Sequence, residues 1–136
     1  MRTPGLRFDV NCSILFTELP LLKRPEAARA AGFDAVEFWW PFAGVTNVGF
    51  LADLYHLGKM GEDLPATLAR EAASIAHIQV ADVPDRGAPG TGELDYEALF
   101  DQLARQGYAG WIGCEYKPSD PADSSTSFGW REPDAV

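Results

Sequence analysis

Asp95-Tyr-Glu-Ala-Leu-Phe-Asp-Gln-Leu-Ala-Arg-Gln-Gly107-Tyr-Ala-Gly-Trp111-Ile-Gly-Cys-Glu-Tyr116 reads as one helix followed by one strand. Asp95 can accept from the free N–H groups of a first turn, and Gly107 supplies the left-handed residue that closes a last one. The spacing predicts a helix over Tyr96 to Gln106 and a strand over Trp111 to Tyr116. Working outward, the same alternation recurs. Strands are expected at Phe8 to Ile14, Ala35 to Trp40, Val48 to Leu54 and Ile78 to Ala81. Helices are expected at Leu19 to Ala31, closed by Gly32, and at Asp63 to Ile75, with Asp63 as cap and Pro65 in the first turn. A Gly- and Pro-rich loop runs from Asp82 to Leu94. The tail from Ser119 to Val136 is expected to be partly helical or loosely ordered, behind a single domain over residues 1–118.

Strands alternating with helices imply parallel strands with helices packed outside them. One junction breaks the pattern. Between Trp40 and Val48 lie only seven residues, Pro41 to Asn47. A parallel crossover takes about a dozen or more. The second and third strands are therefore not ordinary neighbours. The chain has 136 residues, whereas an eight-unit barrel takes about 250. The expected class is α/β, an incomplete (β/α) barrel of about five strands, completed or covered by dimerisation. Such a chain leaves sheet edges open, which invites pairing with a second copy, by simple edge contact or by swapping about Pro41 to Asn47.

The formal net charge of -9 argues against a nucleic-acid partner, because such a surface repels phosphate. No apolar run reaches the roughly 18 residues of a membrane span, and Met1 to Phe8 has no apolar leader. Cys12 and Cys114 are two and distant, so no disulfide framework is expected, and a cytoplasmic location follows. Both fall on apolar faces and read as buried, inert thiols.

Side chains alternate across a strand. Val10 and Cys12 oppose Asp9, Asn11 and Ser13. Val36 and Phe38 oppose Glu37, whose face Trp39 shares. Phe50 and Ala52 oppose Leu51 and Asp53. Ile78 and Val80 oppose Gln79 and Ala81. Ile112, Cys114 and Tyr116 oppose Gly113, Glu115 and Lys117. One face suits helices; the other carries polar groups towards the strands' C-terminal ends, where barrel enzymes place their chemistry. Asp53, Gln79 and Glu115 are oxygen donors, and oxygen suits a hard divalent ion such as Mg²⁺ or Mn²⁺. His56, three residues past Asp53, can reach a substrate oxygen. Taken singly, each has a plainer reading. Asp53 could cap the turn after its strand, Glu115 could pair with Lys117 or Arg86, and Gly90-Thr-Gly reads as a turn rather than a phosphate cradle.

Six motifs in order carry a family resemblance: Phe8-Asp-Val-Asn-Cys-Ser, Val36-Glu-Phe-Trp-Trp-Pro, Ala52-Asp-Leu-Tyr-His, His77-Ile-Gln-Val-Ala-Asp, Pro89-Gly-Thr-Gly-Glu and Gly113-Cys-Glu-Tyr-Lys-Pro. Together they resemble hydroxypyruvate isomerase, of the xylose-isomerase-like barrel superfamily. The resemblance implies a metal-assisted ketol–aldol isomerisation of hydroxypyruvate, a small hydroxy-keto acid, to tartronate semialdehyde. It implies Asp53, Gln79 and Glu115 as ligands of Mg²⁺ or Mn²⁺, and Glu115 also as one of two proton-moving carboxylates. It further implies His56, catalytic and substrate-binding, at a substrate oxygen, with Asn11 and Arg86 in substrate binding. Against the family's pattern, three strand–helix units are absent, and with them a glutamate of the family's fifth strand. Glu37 lies on another strand and does not replace it. Two further readings stand beside an active isomerase: a non-catalytic dimeric remnant, and the abasic-site DNA cleavage of other superfamily members, which the acidic charge disfavours.

Overall fold

The computed structural model describes residues 5–37 and 50–131. Its first strand, β1 (Arg7–Asn11), ends three residues before the expected Ile14. The Asn11 carbonyl accepts from Ile14 N and Leu15 N, and Asn11 Oδ1 accepts from Ser13 N, so the chain turns there. A 3-10 turn (Leu21–Lys23) leads into α1 (Arg24–Ala30), with a proline in its first turn. Next come β2 (Val36–Glu37) and β3 (Phe50–Asp53). Helix α2 (Leu54–Lys59) follows β3 with no loop between them, a helix that the spacing of apolar residues does not announce. Then come α3 (Leu64–Arg70), β4 (Ile75–Val80), α4 (Tyr96–Arg105) and β5 (Trp111–Cys114). Asp63 and Asp95 cap α3 and α4 by accepting from Ala66 N and Ala98 N.

The five strands form one parallel sheet in the order β2-β1-β5-β4-β3. The first strand pairs with the last, as closure of a (β/α) barrel demands, and the sheet is a partial barrel. β2 and β3 occupy opposite edges, so the expectation that they are not neighbours holds. Residues 38–49 join them, and the expected hinge Pro41 to Asn47 lies outside the described residues together with Trp39. Four strand spacings amount to about 19 Å, and thirteen Cα steps reach at most about 45 Å. One chain can therefore link the two edges without swapping.

One face of the sheet is the core. Phe8, Val10, Ile78, Val80, Ile112 and Cys114 are buried beneath α4, which contributes Tyr96, Leu99, Phe100 and Leu103 at helical spacing. Phe8 meets Phe100 edge-on at 5.5 Å. Each such side chain contributes about 1.5–3 kcal/mol on burial. Burial pushes the Cys12 thiol up to about 11 and the Cys114 thiol higher still, so both are inert at neutral pH. The chain after Cys114 packs back on this core. A 3-10 turn (Ser124–Phe128) places Phe128 against Phe33, and Trp130 stacks on Phe100. Ser124 ties this turn to the start of the chain, accepting from Phe16 N and donating to Glu18.

Candidate active site

The opposite face of the sheet carries polar side chains in two layers. The lower layer holds Asp9 of β1, Glu37 of β2 and His77 of β4, arranged around Gly113 of β5. The upper layer, at and just past the strand ends, holds Asn11, Asp53, Gln79 and Glu115. By register Asp9, Gly113, Gln79 and Asp53 are Cα partners in one row and Asn11 is the partner of Glu37, so the two groups are set by where the side chains reach and not by strand level.

Glu37 ties the two layers together. Its Oε1 accepts from Asn11 Nδ2 at 3.0 Å and from Gln79 Nε2 at 2.9 Å, and its Oε2 lies 2.9 Å from His77 Nε2. Burial works to raise the Glu37 carboxyl, but the hydrogen bonds from His77, Gln79 and Asn11 and the charge of His77 together hold it below its ordinary value. Burial works to lower His77, yet Glu37, with Asp9 and Glu115 behind it, raises it. Asp9 is pushed up to about 6, first by burial and then by the charge of Glu37. Neither Asp9 nor His77 is among the site residues expected from the sequence, and Glu37 stands there only as a residue on a different strand from the missing glutamate. Two signals were available: Asp9 shares a face with Asn11, and His77 stands two positions before Gln79.

The structure places the expected site residues as follows. Asp53 caps α2, its Oδ1 accepting from Tyr55 N and His56 N, while Oδ2 lies 3.6 Å from His56 Nε2. His56 is largely exposed beside it. Glu115 is buried, and its Oε2 pairs with the Arg86 guanidinium at 2.9 Å. Arg86 comes from the loop after β4, adopts a positive φ of 61°, and lays its guanidinium 5.2 Å from the Tyr55 ring centroid. The plainer readings of Asp53 as cap and of Glu115 as partner of Arg86 are thus both realised. They leave Asp53 Oδ2 and the Gln79 carbonyl oxygen available on neighbouring strands.

Asp82 builds the loop that delivers Arg86. Its carboxylate accepts from Val83 N, Gly90 N, Gly92 N and Leu94 N at 2.9–3.0 Å. A Cβ on Gly92 would stand 1.9 Å from the Val83 carbonyl oxygen, so only glycine fits. The Gly90-Thr-Gly segment is therefore a turn, its two glycine amides donating to Asp82 and its Thr91 amide to the Ala88 carbonyl, as its sequence suggested.

The upper layer carries oxygen donors. Glu37 takes the Gln79 NH₂ group, which leaves the amide oxygen as the donor. Asp53, Gln79 and Glu115 then offer oxygens from three adjacent strands, a set suited to a hard divalent ion. Among the described residues no helix is long and apolar enough to cross a membrane.

Residues 42–132 match the family described as Xylose isomerase-like TIM barrel. A Streptomyces coelicolor protein provisionally named a hydroxypyruvate isomerase is 55% identical over 115 residues, covering 80% of this chain and 41% of that protein. The hydroxypyruvate isomerase of Escherichia coli K12 is 40% identical over 90 residues, 66% of this chain and 34% of its own length. The 2-oxo-tetronate isomerase of Cupriavidus necator is 43% identical, with the same 66% and 34% coverage. The chain thus spans about two-fifths or less of the curated relatives it matches. A crystal structure of an AP endonuclease, family 2, from Brucella melitensis superposes with a TM-score of 0.81, covering 92% of this chain and 97% of that one. At 20% identity that likeness carries the fold alone.

Proposed function

Since the chain belongs to the xylose isomerase-like TIM barrel family, we propose that it serves a metal-assisted ketol–aldol isomerisation of a small hydroxy-keto acid, with hydroxypyruvate as substrate and tartronate semialdehyde as product. The observation that carries this reading is the upper layer itself: Asp53, Gln79 and Glu115 at the ends of β3, β4 and β5, with Arg86 against Glu115. Its chemistry agrees with the hydroxypyruvate and 2-oxo-tetronate isomerases that the chain resembles.

Asp53, Gln79 and Glu115 would hold Mg²⁺ or Mn²⁺. The ion, when bound, would supply positive charge against the two neighbouring substrate oxygens. The other roles belong to the chain's own side chains. Arg86 grips the substrate carboxylate, which suits a guanidinium that binds in two-point fashion. His56 holds a substrate oxygen, whereas Asn11, expected there too, is buried with its amide bonded to Glu37 and Ser13 N and acts through Glu37. Glu115 removes a proton from the hydroxymethyl carbon to give an enediolate, and return of that proton to the adjacent carbon, with the hydroxyl proton passing from the terminal oxygen to its neighbour, gives the aldehyde. For this, the substrate carboxylate must draw Arg86 off Glu115 Oε2 when substrate is in place.

A homodimer fits the same reading. β3 is an open edge among the described residues, and its Phe50 and Leu51 are exposed large apolar residues. Pairing there would cover them. A fully monomeric species by size exclusion with mass detection would remove this part of the proposal.

The Arg86–Glu115 pair also favours a second reading, a folded metal-binding scaffold without turnover. Conversion of hydroxypyruvate by the purified protein with added Mg²⁺ or Mn²⁺ separates the two. Metal-dependent formation of tartronate semialdehyde supports the isomerase. Metal binding without product supports the scaffold.

A further inference from the structure

The lower layer has a property that the isomerase reading does not use. Gly113 leaves a hole where a side chain would begin. A Cβ there would stand 2.8 Å from Glu37 Oε1, 3.0 Å from His77 Nε2 and 3.1 Å from Asp9 Oδ1. Three potential ligands from three strands therefore converge on one point. One ligand atom from each lies within 4.8 Å of the others. Asp9 is only 6% exposed, and its Oδ1 has no hydrogen-bond partner among the described residues. A buried carboxylate oxygen without a donor is costly, and two facing carboxylates beside an imidazole add repulsion that a cation removes.

We propose that Asp9, Glu37 and His77 form a binding site for a divalent transition-metal ion of the zinc type, seated over Gly113 on the polar face of the sheet. The donor chemistry selects the class of ion. Two carboxylates and one imidazole nitrogen suit Zn²⁺ or Co²⁺, whereas the all-oxygen upper layer suits Mg²⁺ or Mn²⁺. The ion joins β1, β2 and β4 across β5 and braces the inner face of a barrel that its own strands do not close. His77 Nε2 turns from Glu37 to the ion, and the ring proton sits on Nδ1. The site is independent of whether the chain isomerises anything.

The test is titration of metal-free protein with Zn²⁺, followed by ring-nitrogen NMR. The chain has only two histidines, His56 and His77, so His56→Gln leaves the His77 signal alone in the spectrum. The expected result is a saturable shift of His77 Nε2 and a rise in the thermal unfolding midpoint. Asp9→Asn, which keeps the side chain's shape, should weaken Zn²⁺ by at least about tenfold, the loss found even for outer-shell partners of a metal. Asp53→Asn should leave the His77 shift in place, which separates this site from the upper layer. If Asp9→Asn does not fold, His77→Gln serves instead, and metal analysis should show one equivalent of Zn²⁺ fewer. A His77 signal unmoved at saturating Zn²⁺ overturns the proposal, as does undiminished affinity or stoichiometry in these variants.

Discussion

Gln79 Nε2 donates to Glu37 Oε1 at 2.9 Å, and this contact decides which end of the Gln79 amide is left for a ligand. An ionised carboxylate only accepts, so the NH₂ group must face it and the amide oxygen must face elsewhere. Glu37 is held in its ionised form by His77, Gln79 and Asn11 against the pull of burial. A residue on the sheet's far edge therefore orients a candidate metal ligand two strands beyond its neighbour β1.

The first prediction concerns that carboxylate. In Glu37→Gln, His77 keeps its burial, which lowers it, and loses the partner that raises it. Its ring should titrate at lower pH than in the wild type. NMR titration of the two histidines in the presence of a chelator checks this. An unchanged His77 midpoint would mean that the two side chains do not interact in solution.

Stability should depend on pH in an unusual direction. Asp9 sits at about 6 in the fold against an ordinary 3.8. Above about 6 it is ionised in both states, and the folded state bears the full cost. As pH falls from about 6 towards 3.8, the folded protein takes up a proton that the unfolded chain does not, and stability is gained. His77 acts in the same sense. Its folded value is raised, so its contribution is complete below the ordinary 6.5 and is lost as pH rises through the folded value. Glu37 opposes both only as pH falls below its ordinary 4.5. Metal-free protein should therefore resist urea better near pH 5 than near pH 8. Asp9→Asn should remove part of that slope and stabilise the protein at pH 8 by on the order of 1–2 kcal/mol. A variant less stable than wild type at pH 8 would contradict this.

Asp82 should be the most sensitive polar residue of the loop. Removing it in Asp82→Ala leaves four backbone N–H groups without their acceptor. Charge-assisted bonds contribute about 1.5–3 kcal/mol each, without strict additivity, so a loss of about 3 kcal/mol or more is expected in urea unfolding. The exposed neighbour changed in Asp85→Ala should stay within about 0.5 kcal/mol of wild type.

Arg86 carries a prediction about binding. If it grips the substrate carboxylate, Arg86→Lys keeps the charge and loses the two-point geometry and the contact with Tyr55. The KM for hydroxypyruvate should rise about tenfold or more, the equivalent of one charge-assisted hydrogen bond. A rise in KM with kcat unchanged places Arg86 in substrate binding. A fall in kcat alone would place its role at Glu115 instead.

Much of the fold is legible in the sequence because a parallel sheet covered on one face writes itself as alternation. The faces of β1 and β5 follow from Val10 against Asp9 and from Ile112 against Gly113. What failed had local causes. Helix α2 was invisible because Asp53 ends a strand and caps a helix at once, leaving no loop to mark the change. His77 is hidden in the sequence because the apolar face of Leu64, Leu68 and Ala72 predicts a helix running on to Ile75. The helix stops at Arg70, and β4 begins at Ile75, which puts His77 on the same face as Gln79. The meeting of Asp9, Glu37 and His77 was beyond reach for another reason. It depends on which strands are neighbours and on a glycine on a fourth strand, and neither is a local property.

The proposed isomerisation requires Glu115 to move a proton on the substrate. The direct measurement is exchange of the hydroxymethyl protons of hydroxypyruvate with deuterated solvent, followed by NMR with Mg²⁺ or Mn²⁺ present. It reads proton removal alone and does not need the second carboxylate that the family resemblance implies. Exchange above the solvent background is expected for the wild type, lost on chelation of the metal and lost in Glu115→Gln. Exchange at the background rate from folded, metal-loaded wild type, or equal exchange in Glu115→Gln, would contradict it.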